Sequence, residues 1–173
     1  MTIFRCRERH GKLFLLAAAA VLFVGCTTSG TVTSSEAADL WFNLGNAYND
    51  LGRQEDASHA YAQARRLNPQ LFSAGYNLAR VNIYLKKYDE SLRLLDELLE
   101  KDPENRIVME TIAWVYYLQG RDEDALGIYN EILEDSEANL NALHNSAVIL
   151  AANENYHEAL ARYKKLLEFY PDE

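Results

Sequence analysis

The sequence predicts an all-α fold, a solenoid of four helix–turn–helix hairpins of equal length. Three observations carry that expectation. The three prolines of the 173-residue chain, Pro69, Pro103 and Pro171, stand 34 and then 68 residues apart, and recurrence at one fixed period marks a repeat architecture. At the same period a small residue recurs as Gly45, Ala79, Ala113 and Ala147, and a second as Ala57, Ser91, Ala125 and Ala159. Four places after the second column comes a large residue, Tyr61, Leu95, Tyr129 or Tyr163, a spacing that keeps side chains on one helix face. Small residues let the two helices of a hairpin approach closely beside the large one. The period divides the chain into 38–71, 72–105, 106–139 and 140–173 with nothing left over.

The elements before residue 38 read differently. Arg5, Arg7, Arg9 and Lys12 precede an apolar run from Leu13 to Val24, and Gly25-Cys26 follows. A positive start, a 12-residue apolar segment and a small residue at its end describe a secretory signal peptide. A bilayer span needs roughly 20 apolar residues, more than this run supplies. Phe23-Val24-Gly25-Cys26 resembles the lipobox of bacterial lipoproteins, with Phe23 where Leu is usual. The resemblance implies a signal peptide over 1–25, cleavage before Cys26 and a diacyl lipid on the Cys26 thiol. It also implies an outer-membrane destination facing the periplasm, since Thr27 rather than Asp follows the cysteine. Thr27 to Ala37 is rich in Ser, Thr and Gly without periodicity. Residues 26–37 are therefore predicted as a lipidated cysteine and a flexible tether with an r.m.s. reach of about 18 Å.

Each unit then repeats one plan. The first helix is expected to end at a left-handed residue, Gly52 and Gly120 in units one and three, Lys86 and Glu154 in units two and four. Proline ends the second helix because it cannot continue one; Glu137 takes that place in unit three. Leu44, Leu78, Ile112 and Ser146 continue the core stripe at helical spacing. Asn82 stands where units one and three have Tyr48 and Tyr116, and a late column holds Ala64, Leu98, Ile132 and Leu166. Trp41-x-x-Leu44-Gly45-x-x-Tyr48, followed by Ala57-x-x-x-Tyr61 and Pro69, resembles the tetratricopeptide repeat (TPR). The resemblance covers residues 38–173 and implies a right-handed α-solenoid, a non-enzymatic interaction scaffold whose first helices line a concave groove.

On the groove-facing places the resemblance puts Phe42, Asn43, Asn46 and Asn49 of unit one and Tyr76, Asn77, Arg80 and Tyr84 of unit two. Unit three supplies Glu110, Thr111, Trp114 and Tyr117, and unit four His144, Asn145 and Val148. An Asn amide offers donor and acceptor to a peptide backbone, and Tyr and Trp offer the rigid contact area typical of hot spots. A protein or peptide partner is the implied occupant. A plainer reading stands beside it, in which Tyr84 and Tyr117 pack between neighbours. Arg80 is the one cation of the set, with Glu110 placed to neutralise it. The two-carboxylate clamp of chaperone-tail-binding members is not expected: Asn46 and Asn77 match its asparagines, but Phe42, Ile107 and Thr111 occupy its cation places.

Charge and residue types exclude several functions. The chain has 17 Lys+Arg against 26 Asp+Glu, a net −9. Removing 1–25 takes away four basic residues and one acidic one, leaving 13 against 25, a net −12. Nucleic-acid binding requires concentrated Lys and Arg, so no such partner is expected. The two cysteines cannot form a disulfide framework or a four-thiolate zinc site. Beyond the signal segment the histidines are His59, His144 and His157, with no i, i+4 pair. Asp122-Glu123-Asp124 lacks the Gly and distal Glu of a calcium loop and reads as a helix start, where acidic residues favour the dipole. No phosphate loop and no Gly-x-Ser-x-Gly elbow occurs. The expectation is a protein without enzymatic activity, cofactor or metal.

The last hairpin is expected to show Leu160, Leu167 and Phe169 on its outer side, without the polar capping that end repeats usually carry. That leaves two readings: a homo-oligomer or docked partner through this face, or solubilisation by Lys164, Lys165 and Glu168. The function that follows is a lipid-anchored periplasmic adaptor in a cell-envelope assembly, of the pilus-secretin, outer-membrane-assembly or peptidoglycan type. The alternative is an oligomeric TPR lipoprotein accessory to a periplasmic solute transporter, binding a small ligand. Whether the groove takes a helix or a strand stays open.

Overall fold

The computed structural model describes residues 32–171; Cys26 and the predicted signal peptide lie outside them. Eight helices and no strands occur among the described residues. They pair as α1 (Ser34–Asp50) with α2 (Gln54–Leu67), α3 (Phe72–Tyr84) with α4 (Tyr88–Leu99), α5 (Arg106–Leu118) with α6 (Asp122–Asp135), and α7 (Leu140–Ala152) with α8 (Tyr156–Phe169). The second helices start at 54, 88, 122 and 156, always 34 residues on. The sequence period is thus the backbone period. Helices pack mainly on their sequence neighbours, and the three joints between hairpins are α2 on α3, α4 on α5 and α6 on α7. One apolar cluster runs through the joint of α4 with α5, joining Leu94, Leu95 and Leu98 to Val108, Ile112 and Val115.

Each hairpin turns in the same way. Gly52, Lys86, Gly120 and Glu154 have φ of 70°, 58°, 73° and 61°. The next residue's N–H donates back five places: Arg53 to the Tyr48 carbonyl, Lys87 to Asn82, Arg121 to Tyr116 and Asn155 to Leu150, all at 2.8–2.9 Å. This arrangement satisfies carbonyls that a helix end otherwise leaves unpaired. Lys86 and Glu154 adopt it at a steric cost of roughly 1–2 kcal/mol each. Glu137, in the place of a proline, leaves the next turn unchanged: Asn139 N–H donates to Ser136 at 3.0 Å, as Asn105 does to Asp102 at 3.1 Å. The turn is fixed by the cap instead, since the Asn139 side chain accepts from Ala142 N–H at 2.8 Å.

The two small columns are buried throughout. Tyr61, Leu95 and Tyr129 are buried beside them, while Tyr163 of the last hairpin is only half-buried. The closest approach is in unit one, where a Cβ on Gly45 would meet two carbons of the Tyr61 ring at 2.6 Å. In unit two the contact is polar, Ser91 Oγ donating to the Ala79 carbonyl at 2.9 Å. Asn82 is buried and accepts from Ser58 Oγ at 3.4 Å, which accounts for an amide in a column that is otherwise aromatic.

Two positions depart from the sequence reading. Leu44 is exposed whereas Leu78, Ile112 and Ser146 of its column are buried, because no described hairpin lies on that side of α1. The first helix also begins at Ser34, within the stretch predicted as tether. Ser34 Oγ donates to the Leu67 carbonyl at 2.8 Å and Ala38 is buried, so the end of α2 supplies partners that hold an extra helical turn.

Candidate functional site

Two clefts follow one another along the first helices. The larger, about 530 Å³, lies between α3 and α5 with α7 at its edge, and is lined by Tyr76, Arg80, Ile83, Tyr84, Ile107, Glu110, Thr111, Trp114, Asn141 and Asn145. The smaller, about 370 Å³, lies between α1 and α3 and is lined by Asn46, Asn49, Asp50, Tyr61, Asn77 and Val81. Arg80 and Tyr84 line both, which makes one continuous groove. Tyr76, Arg80 and Tyr84 share a face because they are four residues apart on α3; Ile107, Thr111 and Trp114 share one on α5 for the same reason.

Hydrogen bonds fix part of the wall and leave part of it free. Thr111 Oγ1 donates to the Ile107 carbonyl at 2.7 Å, so the Tyr76 hydroxyl, 3.0 Å away, donates to Thr111. The Tyr76 ring is held from behind by Phe72, stacked at 5.7 Å. Asn46 Oδ1 accepts from the Tyr61 hydroxyl at 2.8 Å and from Asn77 Nδ2 at 3.4 Å. The Asn46 amide nitrogen stays without a partner among the described residues. Tyr84 and Trp114 are exposed, and Trp114 leans on Tyr117 at 5.3 Å.

Glu110 and Arg80 line the same cleft but do not meet as the ion pair that the sequence reading expected. Both Glu110 carboxylate oxygens are occupied, by Asn139 Nδ2 at 2.9 Å and Asn141 Nδ2 at 2.8 Å. Arg80 makes no ion pair among the described residues; its guanidinium lies 5.9 Å from the Tyr76 ring centre. The groove therefore presents Arg80 without an ion pair between aromatic walls, with the carboxylates of Glu110 and Asp50 on the same lining.

Of the residues that the sequence placed in the groove, Asn46, Asn49, Tyr76, Asn77, Arg80, Tyr84, Glu110, Thr111, Trp114 and Asn145 line it, while Val148 lies outside both clefts. Phe42 instead turns to the core, 5.8 Å from Tyr61, and Tyr117 packs on the core of units three and four. Asn43 and His144 are exposed outside both clefts, His144 Nδ1 being 3.2 Å from Asn145 Oδ1. Missed were Asp50, Ile83 and Asn141, and Ile107 entered only as an absent cation. Ile107 and Asn141 are the second residues of their units, one turn before Glu110 and His144, so extending the helical stripe backwards would have found them.

Behind the groove, Tyr129 is fully buried and receives Asn145 Nδ2 on its hydroxyl at 3.3 Å. Burial pushes its phenol up to about 12, against the lowering effect of the Asn145 bond, and the Glu110 charge adds to the rise. The folded chain thus holds this proton more tightly than the unfolded chain, whose phenol ionises near 10. Stability is therefore unaffected by this group below pH 10 and falls by about 2–3 kcal/mol as pH climbs from there to 12. Thermal melts across this window should fall steeply for the wild type and less so for Tyr129→Phe; parallel curves would disprove the assignment.

A third cleft, about 480 Å³, opens between α6 and α8 and is lined in part by Glu134, Glu137, Glu158, Arg162 and Lys165. It has no aromatic wall. Among the described residues no cluster of His, Cys, Asp and Glu is placed to hold a metal, and no helix is long and apolar enough to cross a membrane.

Models of the tetratricopeptide repeat match residues 38–71, 76–141 and 141–173. A protein of Treponema pallidum (strain Nichols) described as an uncharacterized lipoprotein is 27% identical over 149 residues, 85% of this chain and 76% of its own length. Among solved structures, the chain is similar to YrrB, a TPR protein with an unusual peptide-binding site, at TM-score 0.66 and 22% identity over 79% of this chain and 70% of that one. It is also similar to the first TPR of Spaghetti (RPAP3) bound to the HSP90 peptide SRMEEVD, at TM-score 0.62 and 19% identity over 72% of this chain and 99% of that one. These two likenesses speak for the fold. With the repeat models spanning all four hairpins, and the same turn and small–large pairing recurring every 34 residues, the chain belongs to the tetratricopeptide repeat family.

Proposed function

We propose that this protein is a non-enzymatic adaptor of the bacterial envelope, anchored by lipid on Cys26 at the periplasmic side of the outer membrane, whose groove holds a peptide segment of a partner. The partner belongs to an envelope assembly of the pilus-secretin, outer-membrane-assembly or peptidoglycan type. The observation that carries the groove reading is Arg80, without an ion pair among the described residues and set between Tyr76, Tyr84 and Trp114. A carboxylate of the peptide would pair with Arg80, and an apolar side chain would fill the space between Ile83, Ile107 and Trp114. Phe42, Ile107 and Thr111 offer no further cations, so a tail with clustered carboxylates is not the expected ligand. The likeness to a lipoprotein supports the anchor. Likeness to two TPR proteins whose descriptions mention peptide binding supports the groove.

Crosslinked co-purification from detergent-solubilised envelopes tests this, comparing wild type with Asn77→Ala/Arg80→Ala/Trp114→Ala. Loss of two hot-spot side chains should lower partner recovery at least about tenfold, with helicity unchanged. Full recovery would move the binding site off the groove. A second reading, an oligomeric accessory of a solute transporter, draws on the exposed Leu160 and Leu167; it requires that the chain recover only itself and a solute-binding protein.

A further inference from the structure

We propose that copies of this chain stack head to tail, the outer face of α8 in one copy covering the outer face of α1 in the next, so that the groove continues across the junction. Two faces of the solenoid are apolar and open among the described residues. On α1, Leu40 is 63% and Leu44 39% exposed. The same columns hold Ala74, Val108 and Ala142, and Leu78, Ile112 and Ser146, all buried where the preceding hairpin packs on them. On α8, Leu160 is 53% and Leu167 60% exposed. Their counterparts Leu92 and Leu99, then Leu126 and Leu133, pack on the cores of their joints. Each end displays what the second and third joints cover, the first joint having Ser58 and Arg65 in the α8 columns, so the apolar interface that would form already exists twice within one chain.

The chemistry of the columns matches at the new junction as it does inside. Across the first joint Ser58 donates to Asn82 at 3.4 Å; the same two columns hold Leu92 and Tyr116 at the second joint and Leu126 and Leu150 at the third. Polar meets polar and apolar meets apolar. Between copies these columns bring Leu160 to Tyr48, an apolar pair. Across the third joint Glu110 and Asn141 bond at 2.8 Å, and their columns bring His144 of one copy to Asp39 of the next, an imidazole to a carboxylate. The stack also brings the exposed Asn43 of one copy to the same junction as His144 of the other. A stack of this kind is heterologous and open-ended.

The test uses the full chain in its own membranes, with Asp39→Cys/His144→Cys and a short thiol-specific crosslinker, against a background carrying the native cysteines alone. Glu110→Cys/Asn141→Cys, on the same columns within one chain, is the control for reach. The expected result is a ladder of dimers, trimers and longer species. Two chains each carrying one of the new cysteines, expressed together, should give one mixed dimer and nothing longer. Adding Leu160→Lys should reduce the ladder at least about tenfold, since an ammonium would be buried against Tyr48 beside the Arg53 guanidinium. The proposal is overturned by no ladder while the control pair closes. It is equally overturned by His144→Cys alone dimerising as well as the pair, which would mean two-fold rather than head-to-tail packing.

Discussion

Replacing Tyr129 by alanine should destabilise the chain by about 3–5 kcal/mol, the usual cost of deleting a buried aromatic ring. The ring is fully buried between the small residues Ala113 and Ala125, so little can collapse into the space. Its hydroxyl also receives Asn145 from the next hairpin, and truncation leaves that amide without its partner. Solenoid stability is close to a sum of units and their interfaces, so the damage should centre on hairpins three and four. The apparent thermal midpoint should drop by on the order of 10 °C, with a broadened transition by circular dichroism. Tyr129→Phe, which keeps the ring, should lose no more than about 1 kcal/mol. Equal losses in the two variants would mean that the hydroxyl, not the packing, holds this joint.

Gly45→Val is the second large effect, expected near 3 kcal/mol. The Cβ alone would stand 2.6 Å from the Tyr61 ring, and valine adds two methyls to it. The ring is buried and its hydroxyl is tied to Asn46, so it cannot swing away without breaking that bond. Overpacking of this kind costs about 1–3 kcal/mol, and a β-branched residue is stiff in a helix. Gly45→Ala/Tyr61→Leu should be far milder than Gly45→Val, because it copies the Ala79/Leu95 pair of unit two. Denaturant titrations of both variants check this; a Gly45→Val chain as stable as wild type would refute the close approach.

Both variants rest on columns legible in the sequence, and the reason is that packing in a solenoid is periodic. A residue's unit position tells which neighbour it meets, so Gly45 facing Tyr61 and Lys86 taking a left-handed turn follow from counting. Asn46, Arg80 and Tyr84 fell in the groove by the same count. Side-chain direction is less legible. Phe42 shares a column with Tyr76, yet it turns inward onto Tyr61. Glu110 was read as the partner of Arg80, but Asn139 and Asn141 hold it from the turn and helix of the next unit. Nothing repeats in that arrangement: the corresponding residues of the earlier joints are Asn105 and Ile107, beside Tyr76. Where a bond is made at one joint and not at the others, periodicity sets the columns side by side without predicting the bond.

The larger cleft spans α3 and α5, across the joint of α4 with α5. Apart from the Tyr76–Thr111 bond, the walls of the groove there are tied by little. An occupant resting on both helices would act as a splint. It would add free energy to the coupling of unit two with unit three, so units one and two would melt more nearly together with units three and four. Binding would then be felt as cooperativity at both ends of the solenoid, with every helix keeping its shape.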